Sequence, residues 1–460
     1  MESAVAPEFT NVFKVELDKK QNENEDESLK ELELLKTKLP EHLKELFIRS
    51  IDHLDIHQAK EVGLLLTRYE TVFAKDDLDI GLFSGSIKHT IDTGDAAPTR
   101  QRMRRTPLGF EKEEDHLNQM LERGVITEST SEWASPPVLV RKKDGTLRYC
   151  IDFRALNKVT RKDAFPLPNI ENCLDTLRGS TFMSTLDMAA GYYQIEIDEK
   201  DKHKTAFITK YGLFEHTKLP FELCDAPATF SRVIQLVLQG LTWTECLAYL
   251  DDVIVLGKSF RDHMNNLIAV LNRFRKYNLK LKPKKCHLFQ KEVKFLGKIV
   301  TETGISINPE SVETITKWPI PKTKRDVESY LGFANYHRDH IKNFAEIAKP
   351  LHQIVGSKTD FKWGLEQQTA FLEIQKGLVE AATLSYPNPD DTFVLDTDAS
   401  NKSIGAELSQ VQNGKEVVIS YGSKVLTSSQ RKYCTTRKEL LAVVVFTRHF
   451  RHYLLAKPFI

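Results

Sequence analysis

The stretch CLAYLDDVIVLG (246–257) places two adjacent aspartates, Asp251 and Asp252, between two short apolar runs. Apolar runs of this length read as strands, and Asp is a common turn former, so the plain reading is a β-hairpin. That reading has one weakness. Adjacent carboxylates repel, and Asp-Gly would make a better turn. A hard divalent cation such as Mg²⁺, which takes carboxylate oxygens, would remove the objection. The stretch therefore raises two further questions: whether a third carboxylate joins the pair, and whether the chain handles phosphates.

The rest of the composition sets the frame. At 460 residues and 52.7 kDa the chain is long enough for two to four domains. Hydrophobic residues at 41% and charged residues at 28% are ordinary for a globular protein. No run reaches the apolar length of a membrane span, and the first twenty residues lack the apolar core of a signal peptide, so no membrane partner is expected. The cysteines at 150, 173, 224, 246, 286 and 434 form no CxxC pair. This argues against a zinc site or a disulfide framework and fits a reducing compartment.

Net charge is only +1, but it is unevenly spread. Residues 16–33 are polar and acidic, whereas TRQRMRR (99–105) is basic. Between 263 and 291 there is no acidic residue, and RFRKYNLKLKPKK (273–285) carries seven Lys and Arg. Two basic segments on either side of the Asp-Asp hairpin point to a polyanionic partner.

Residues 1 to about 30 read as disordered, and the following segment as helical with a break at Pro40. Asp92-Thr93-Gly94 is the triplet of aspartic proteases, but polar, basic surroundings exclude that role. PLGFEKEEDHLNQMLERGVI (107–126) reads as an amphipathic helix ending at Gly124, and PPVLVRKKDGTLRYCIDFRALN (136–157) as a hairpin. STFMSTLDMAAGYYQIEID (180–198) is a strand carrying Asp187, followed by a turn of small residues where backbone amides can approach a ligand. DAPATF (225–230) opens a helix, with Asp225 as its expected N-cap and Pro227 in its first turn. A hairpin at VKFLGKIVTETGISI (293–307), a helical region, and a β-rich unit from about Thr392 complete the chain.

Asp187 is the third carboxylate. Two carboxylates at a turn and one at another strand end suit two divalent ions, which activate a hydroxyl and stabilise a leaving oxygen in phosphoryl transfer. Here the sequence resembles a known family. YLDD (249–252) is similar to the YxDD box of reverse transcriptases, and LDMAAGYYQI to the strand bearing their first catalytic aspartate. LPFELCDAPATF resembles LPFGLCNAPATF, LVRKKDGTLRYCIDFRALN the fingers motif, FLGKIV the primer-grip hairpin, and TDAS…IGAELSQ the opening of an RNase H domain. In this order the set resembles the Pol polyprotein of gypsy-type LTR retrotransposons, from about residue 86 onward.

The resemblance implies an α+β right-hand polymerase fold followed by an incomplete RNase H-like α/β domain. It divides the chain into an N-terminal linker region (1–85), fingers with part of the palm (86–180), palm (181–305), thumb and connection (306–378) and a partial RNase H-like domain (379–460). It implies that Asp187, Asp251 and Asp252 form the catalytic metal triad for Mg²⁺, with Mn²⁺ an alternative. Lys142 and Arg148 would hold the triphosphate, Tyr192 would exclude a ribose 2′-OH, and Phe221 would line the nucleotide pocket. Phe295, Leu296 and Gly297 would place the primer end. Asp398 and Glu439 match two RNase H metal ligands; the family's later aspartate would fall beyond Ile460, so hybrid cleavage is not expected. The implied activity is RNA- and DNA-directed DNA synthesis from deoxynucleoside triphosphates on an RNA or DNA template–primer, in a cytoplasmic element particle or the nucleus. The alternative is a decayed or domesticated copy that binds nucleic acid without polymerising. Two departures stand out: Glu222 where the family has Gly, expected to bring a charge near the nucleotide pocket, and Asp225 where it has Asn.

Overall fold

A computed structural model describes residues 32–103, 113–141, 147–356 and 360–460. Contacts divide the chain into two units. The first takes the described residues up to Asn169 together with Phe182–Gln290; the second takes Ile170–Thr181 and Lys291–Ile460. The division after Gln290 falls before the hairpin of 293–307, which belongs to the second unit. The disorder expected for the N-terminus concerns residues outside the described ones, as does the start of the helix expected from 107. That helix is seen as Glu113–Glu122 and ends before Gly124, whose φ of +58° suits a residue without a side chain.

The first unit is organised on a four-stranded antiparallel sheet, in the order Cys246–Tyr249, Asp252–Gly257, Phe182–Asp187, His287–Gln290. The Asp-Asp stretch is indeed a hairpin, with Tyr249 opposite Asp252. Its second strand is central, and Val253 to Gly257 are all buried, which is why VIVLG is continuously apolar rather than alternating. Helix Phe260–Lys276 covers this strand with Met264, Leu267, Val270, Leu271 and Phe274. It begins at Ser259, whose side chain accepts from the Asp262 amide. Burying five such side chains contributes roughly 10 kcal/mol of gross apolar transfer. Helix Glu41–Ile51 packs on the other edge strand, His287–Gln290.

Helix Ala226–Val237 starts where DAPATF places it, with a Pro in its first turn. The capping expectation needs correcting. Asp225 occupies the N-cap position, but its side chain makes no cap bond. Its Oδ1 accepts instead from the Asp163 amide at 3.2 Å, so the carboxylate ties the helix start to another segment. The hairpin Pro137–Arg141/Leu147–Ile151 forms as expected, with Val140 opposite Arg148.

In the second unit, Glu292–Phe295, Lys298–Thr301 and Ile305–Ile307 form a small antiparallel sheet. Four helices follow, Pro309–Thr316, Lys324–Tyr336, Phe344–Gly356 and Leu365–Val379, around a core that includes Tyr330, Phe344 and Phe371. Phe393–Ala399, Ser403–Gln412 and Lys415–Val425 then pair as an antiparallel meander, with helix Thr435–His449 packed on its first two strands. The edge of the first strand is partly covered: the Ile460 amide donates to Phe393 O, and Leu395 donates to Ile460 O, both within 2.9 Å.

Candidate active site

The strand Phe182–Asp187 lies beside Asp252–Gly257 in a register that sets Asp187 directly opposite Asp252. Asp251 sits in the two-residue turn, next to Leu250, whose φ of +52° closes the hairpin. Three carboxylates thus meet at one end of the sheet although the first lies 64 positions from the next in the sequence. Like charges opposite one another across strands are unfavourable. The consequence is visible in the acidity of the group: loss of hydration, then Asp252 and Asp187, push Asp251 from 3.8 up to about 6, with Lys285 opposing. Asp252 is raised as well, by lost hydration and by Asp187.

Among the described residues, Asp251 Oδ1 is a buried oxygen with no hydrogen-bond partner. An orphaned carboxylate oxygen with two further carboxylates near enough to raise its pKa offers the kind of oxygen donors that a hard divalent cation takes. Among the described residues no three acidic, His or Cys side chains are already gathered tightly enough to cage an ion unaided. Lys285 supplies positive charge in the meantime: its Nζ lies 3.1 Å from Asp187 Oδ2. Sequence reasoning counted Lys285 only as one of seven basic residues. Its approach to Asp187, 98 positions away, had no local signal.

Asp187 and Asp251 face a cleft of about 1010 Å³, entirely within the first unit, whose wall includes Ala190, Gly191 and Phe221. Asp187 is followed by Ala190 in the left-handed region (φ +51°) and the short turn Gly191–Gln194. A Cβ on Gly191 would approach Met188 Cβ and Phe230 Cε2 to 3.2 Å, so the turn packs tightly on helix Ala226–Val237. Tyr192 makes edge contacts with Phe221 (5.0 Å) and Phe230 (5.2 Å). Burial, with Asp251 adding to it, pushes its phenol up to about 12. The cleft also takes in the acidic segment 76–79, where Asp77 pairs with Lys282 (3.1 Å) and Asp79 with Lys280 (3.0 Å). Part of the basic run read as polyanion-binding is therefore engaged within the chain.

The other expected site residues are distributed as follows. Lys142 lies outside the described residues, and of Arg148 only the backbone, paired with Val140, is described. Phe295, Leu296 and Gly297 belong to the second unit. Phe295 is buried and pairs with Lys298, while Leu296 (φ +48°) and Gly297 (φ +73°) make the two-residue turn; Tyr336 Oη donates to Leu296 O. Asp398 is exposed on its strand opposite Gly405, and Glu439 is half-buried in the first turns of its helix.

Glu222 calls for a different explanation from the one its charge suggested. Its side chain is exposed, so water screens the carboxylate. Its backbone, however, has φ +77°, which L residues rarely adopt. The loop is held there by Asn157, whose Nδ2 donates to Glu222 O (2.8 Å) and whose Oδ1 accepts from the Cys224 amide (3.0 Å). Left-handed backbone costs a non-glycine residue roughly 1–2 kcal/mol. Glu222→Gly is expected to raise stability, read from denaturant unfolding, by about 0.5–1 kcal/mol after the unfolded-state entropy of glycine is set against the relieved strain. Glu222→Ala should give no such gain; equal stabilisation by both would show that the charge, not the backbone, is responsible.

A sheet with three aspartates at one end, two of them lining a cleft, is an arrangement that suits the right-hand polymerase fold, and comparison with known proteins agrees with that fold. Residues 140–300 match the family "Reverse transcriptase (RNA-dependent DNA polymerase)", and residues 363–460 match the "RNase H-like domain found in reverse transcriptase". The chain carries a reverse transcriptase domain followed by an RNase H-like domain, and the curated proteins it resembles are transposon Pol polyproteins. It is 37% identical over 417 residues to the retrovirus-related Pol polyprotein from transposon 297 of Drosophila melanogaster, covering 89% of this chain and 39% of that protein. To the Tf2-3 polyprotein of Schizosaccharomyces pombe it is 33% identical over 341 residues, 74% of this chain and 26% of the relative. The chain thus spans well under half the length of these relatives. Among solved structures it resembles the foamy viral protease–reverse transcriptase in complex with double-stranded DNA (dRH form; TM-score 0.83, 25% identity, 91% of this chain and 73% of that one). The same viral enzyme in complex with an RNA/DNA hybrid gives a TM-score of 0.78 at 25% identity, over 91% of this chain and 56% of that one.

Proposed function

We propose that this chain polymerises DNA on an RNA or DNA template from deoxynucleoside triphosphates, using Asp187, Asp251 and Asp252. The observation that carries this reading is the buried, unpartnered Asp251 Oδ1 beside two other carboxylates. A bound pair of Mg²⁺ ions, or Mn²⁺ in their place, would supply activation of the primer hydroxyl and stabilisation of the leaving phosphate oxygen. The protein's own side chains do the rest. Asp187, Asp251 and Asp252 would hold the cations at one end of the sheet, with Asp187 and Asp251 as the principal ligands. Lys285, adjacent to Asp187, offsets their mutual repulsion when no cation is there. Lys142 and Arg148 grip the triphosphate, Arg148 through a planar fork that matches phosphate oxygens. Phe221 and Tyr192 shape the space for the sugar, and Phe295, Leu296 and Gly297 position the primer end. Double-stranded DNA and an RNA/DNA hybrid, the partners of the viral neighbours, are the duplexes this chain would hold.

The alternative is a copy that binds nucleic acid without extending it, a reading favoured by the strained Glu222 where relatives of this type are expected to carry glycine. Primer extension on primed poly(rA) separates the two. Synthesis that requires Mg²⁺ and stops with EDTA is expected; tight duplex binding without any extension would select the alternative.

A further inference from the structure

Gln194 ends the turn that follows Asp187, and its side chain is fully buried. Its amide is used completely. Nε2 donates to Ala189 O at 2.8 Å and to Lys280 O at 2.9 Å, and Oε1 accepts from the Lys280 amide at 2.8 Å. A primary amide has two N–H donors, and a buried one is stable only if they are matched. Here one side chain bridges the catalytic turn and the segment 280–282. That segment already runs beside the turn: Ala189 donates to Lys280 O (2.9 Å), and Lys282 donates to Asp187 O (2.8 Å).

The surroundings hold the amide in place from outside the turn. A Cβ on Gly81 would come to 2.5 Å from Gln194 Oε1 and 2.7 Å from Asn278 O. The Phe83 amide donates to Gln194 O at 2.7 Å, and Lys280 pairs with Asp79. The segment 79–83, far from the carboxylates in sequence, therefore closes over the same hub.

We propose that Gln194 is a positioning residue for the polymerase site. It sets the height of the Ala189–Gly191 backbone, and with it the Asp187 carboxylate, by tying Ala189 O to the Lys280 peptide. Gly81 is part of the device, because only a residue without a side chain leaves Gln194 its place. This inference rests on the polymerase reading above for its kinetic consequence but not for its structural one. The neighbouring tyrosines are shaped by apolar packing, whereas Gln194 acts through directed hydrogen bonds. An isostere of the same shape with different hydrogen-bonding capacity should therefore fail to replace it.

Three variants of the full chain test this: Gln194→Met, Gln194→Glu and Gly81→Ala. Glutamate keeps the shape but, when ionised, presents an acceptor to two carbonyl oxygens. Amide hydrogen exchange at Ala189 and Lys282 is expected to quicken at least about tenfold in all three, relative to amides in the middle of the sheet such as Val255. In primer extension kcat is expected to fall at least about tenfold, with the nucleotide KM changed much less, because a displaced Asp187 weakens transition-state more than ground-state interactions. A residue that merely fills space would be rescued by glutamate and would change thermal stability without this split. Parent-like exchange at Ala189 and Lys282 in the folded Gln194→Glu and Gly81→Ala variants would overturn the proposal, as would parent-like kcat in Gln194→Glu. If the parent chain itself fails to extend a primer, the polymerase reading fails, and the exchange measurement alone decides the role of Gln194.

Discussion

Asp251→Asn is expected to lower kcat for primer extension on the order of 10³-fold while primer–template binding stays close to that of the parent. The substitution keeps the shape of the side chain and removes the charge that a divalent cation needs. The variant has a second signature that requires no activity. In the metal-free protein Asp251 ionises only near pH 6, against 3.8 for an ordinary aspartate, because burial and two neighbouring carboxylates oppose its charge. A raised carboxyl disfavours the folded state once the unfolded chain ionises. Stability therefore falls as pH rises from about 3.8 towards 6 and stays lower above it. Because the group is half-buried, solvent reduces the loss to about 1 kcal/mol. In EDTA, the thermal midpoint of the parent should drop across that window, and that of Asp251→Asn should drop less. Adding Mg²⁺ above pH 6 should recover the parent and leave the variant unmoved. Extension by Asp251→Asn at the parental rate, or the same Mg²⁺-induced rise in both proteins, would remove Asp251 from the site.

The second large effect concerns sugar selection. Tyr192→Val is expected to narrow the preference for deoxyribonucleotides over ribonucleotides on the order of 10²-fold. Tyr192 cannot easily swing aside, since Phe221 and Phe230 contact its ring at 5.0 and 5.2 Å and Gly191 leaves no slack against helix Ala226–Val237. Steric exclusion of a 2′-hydroxyl depends on that rigidity, and valine would open the space the ring occupies. The measurement is the ratio of kcat/KM for matched deoxy- and ribonucleotides. An unchanged ratio would assign selection to another residue of the wall, Phe221 first.

Much of this architecture is legible in local patterns. The apolar runs flanking Asp251 and Asp252, the small residues after Asp187, and the turn residues each act within a few positions of themselves, so the strands, the hairpin and the β-rich unit near the C-terminus could be read directly. The gathering of Asp187 with Asp251 and Asp252 was implied by the resemblance to reverse transcriptases, whereas the register that sets Asp187 opposite Asp252 is seen only in the fold.

What could not be read from the sequence depends on contacts between distant segments. Lys285 looked like one charge in a basic run, and only the fold brings it to Asp187. Asp225 looked like a helix cap, but the passing segment at Asp163 takes its carboxylate. Glu222 looked like a misplaced charge, whereas its backbone conformation is the unusual feature. Gln194 carries no local signal, and only the fold closes the 280–282 segment and Gly81 around its amide. The physical reason is common to all four. Periodicity and turn chemistry act along the chain, so sequence alone determined which elements form and which carboxylates they carry. Hydrogen bonds and ion pairs act across space, so the partners of those groups were decided only when packing fixed which segments lie side by side.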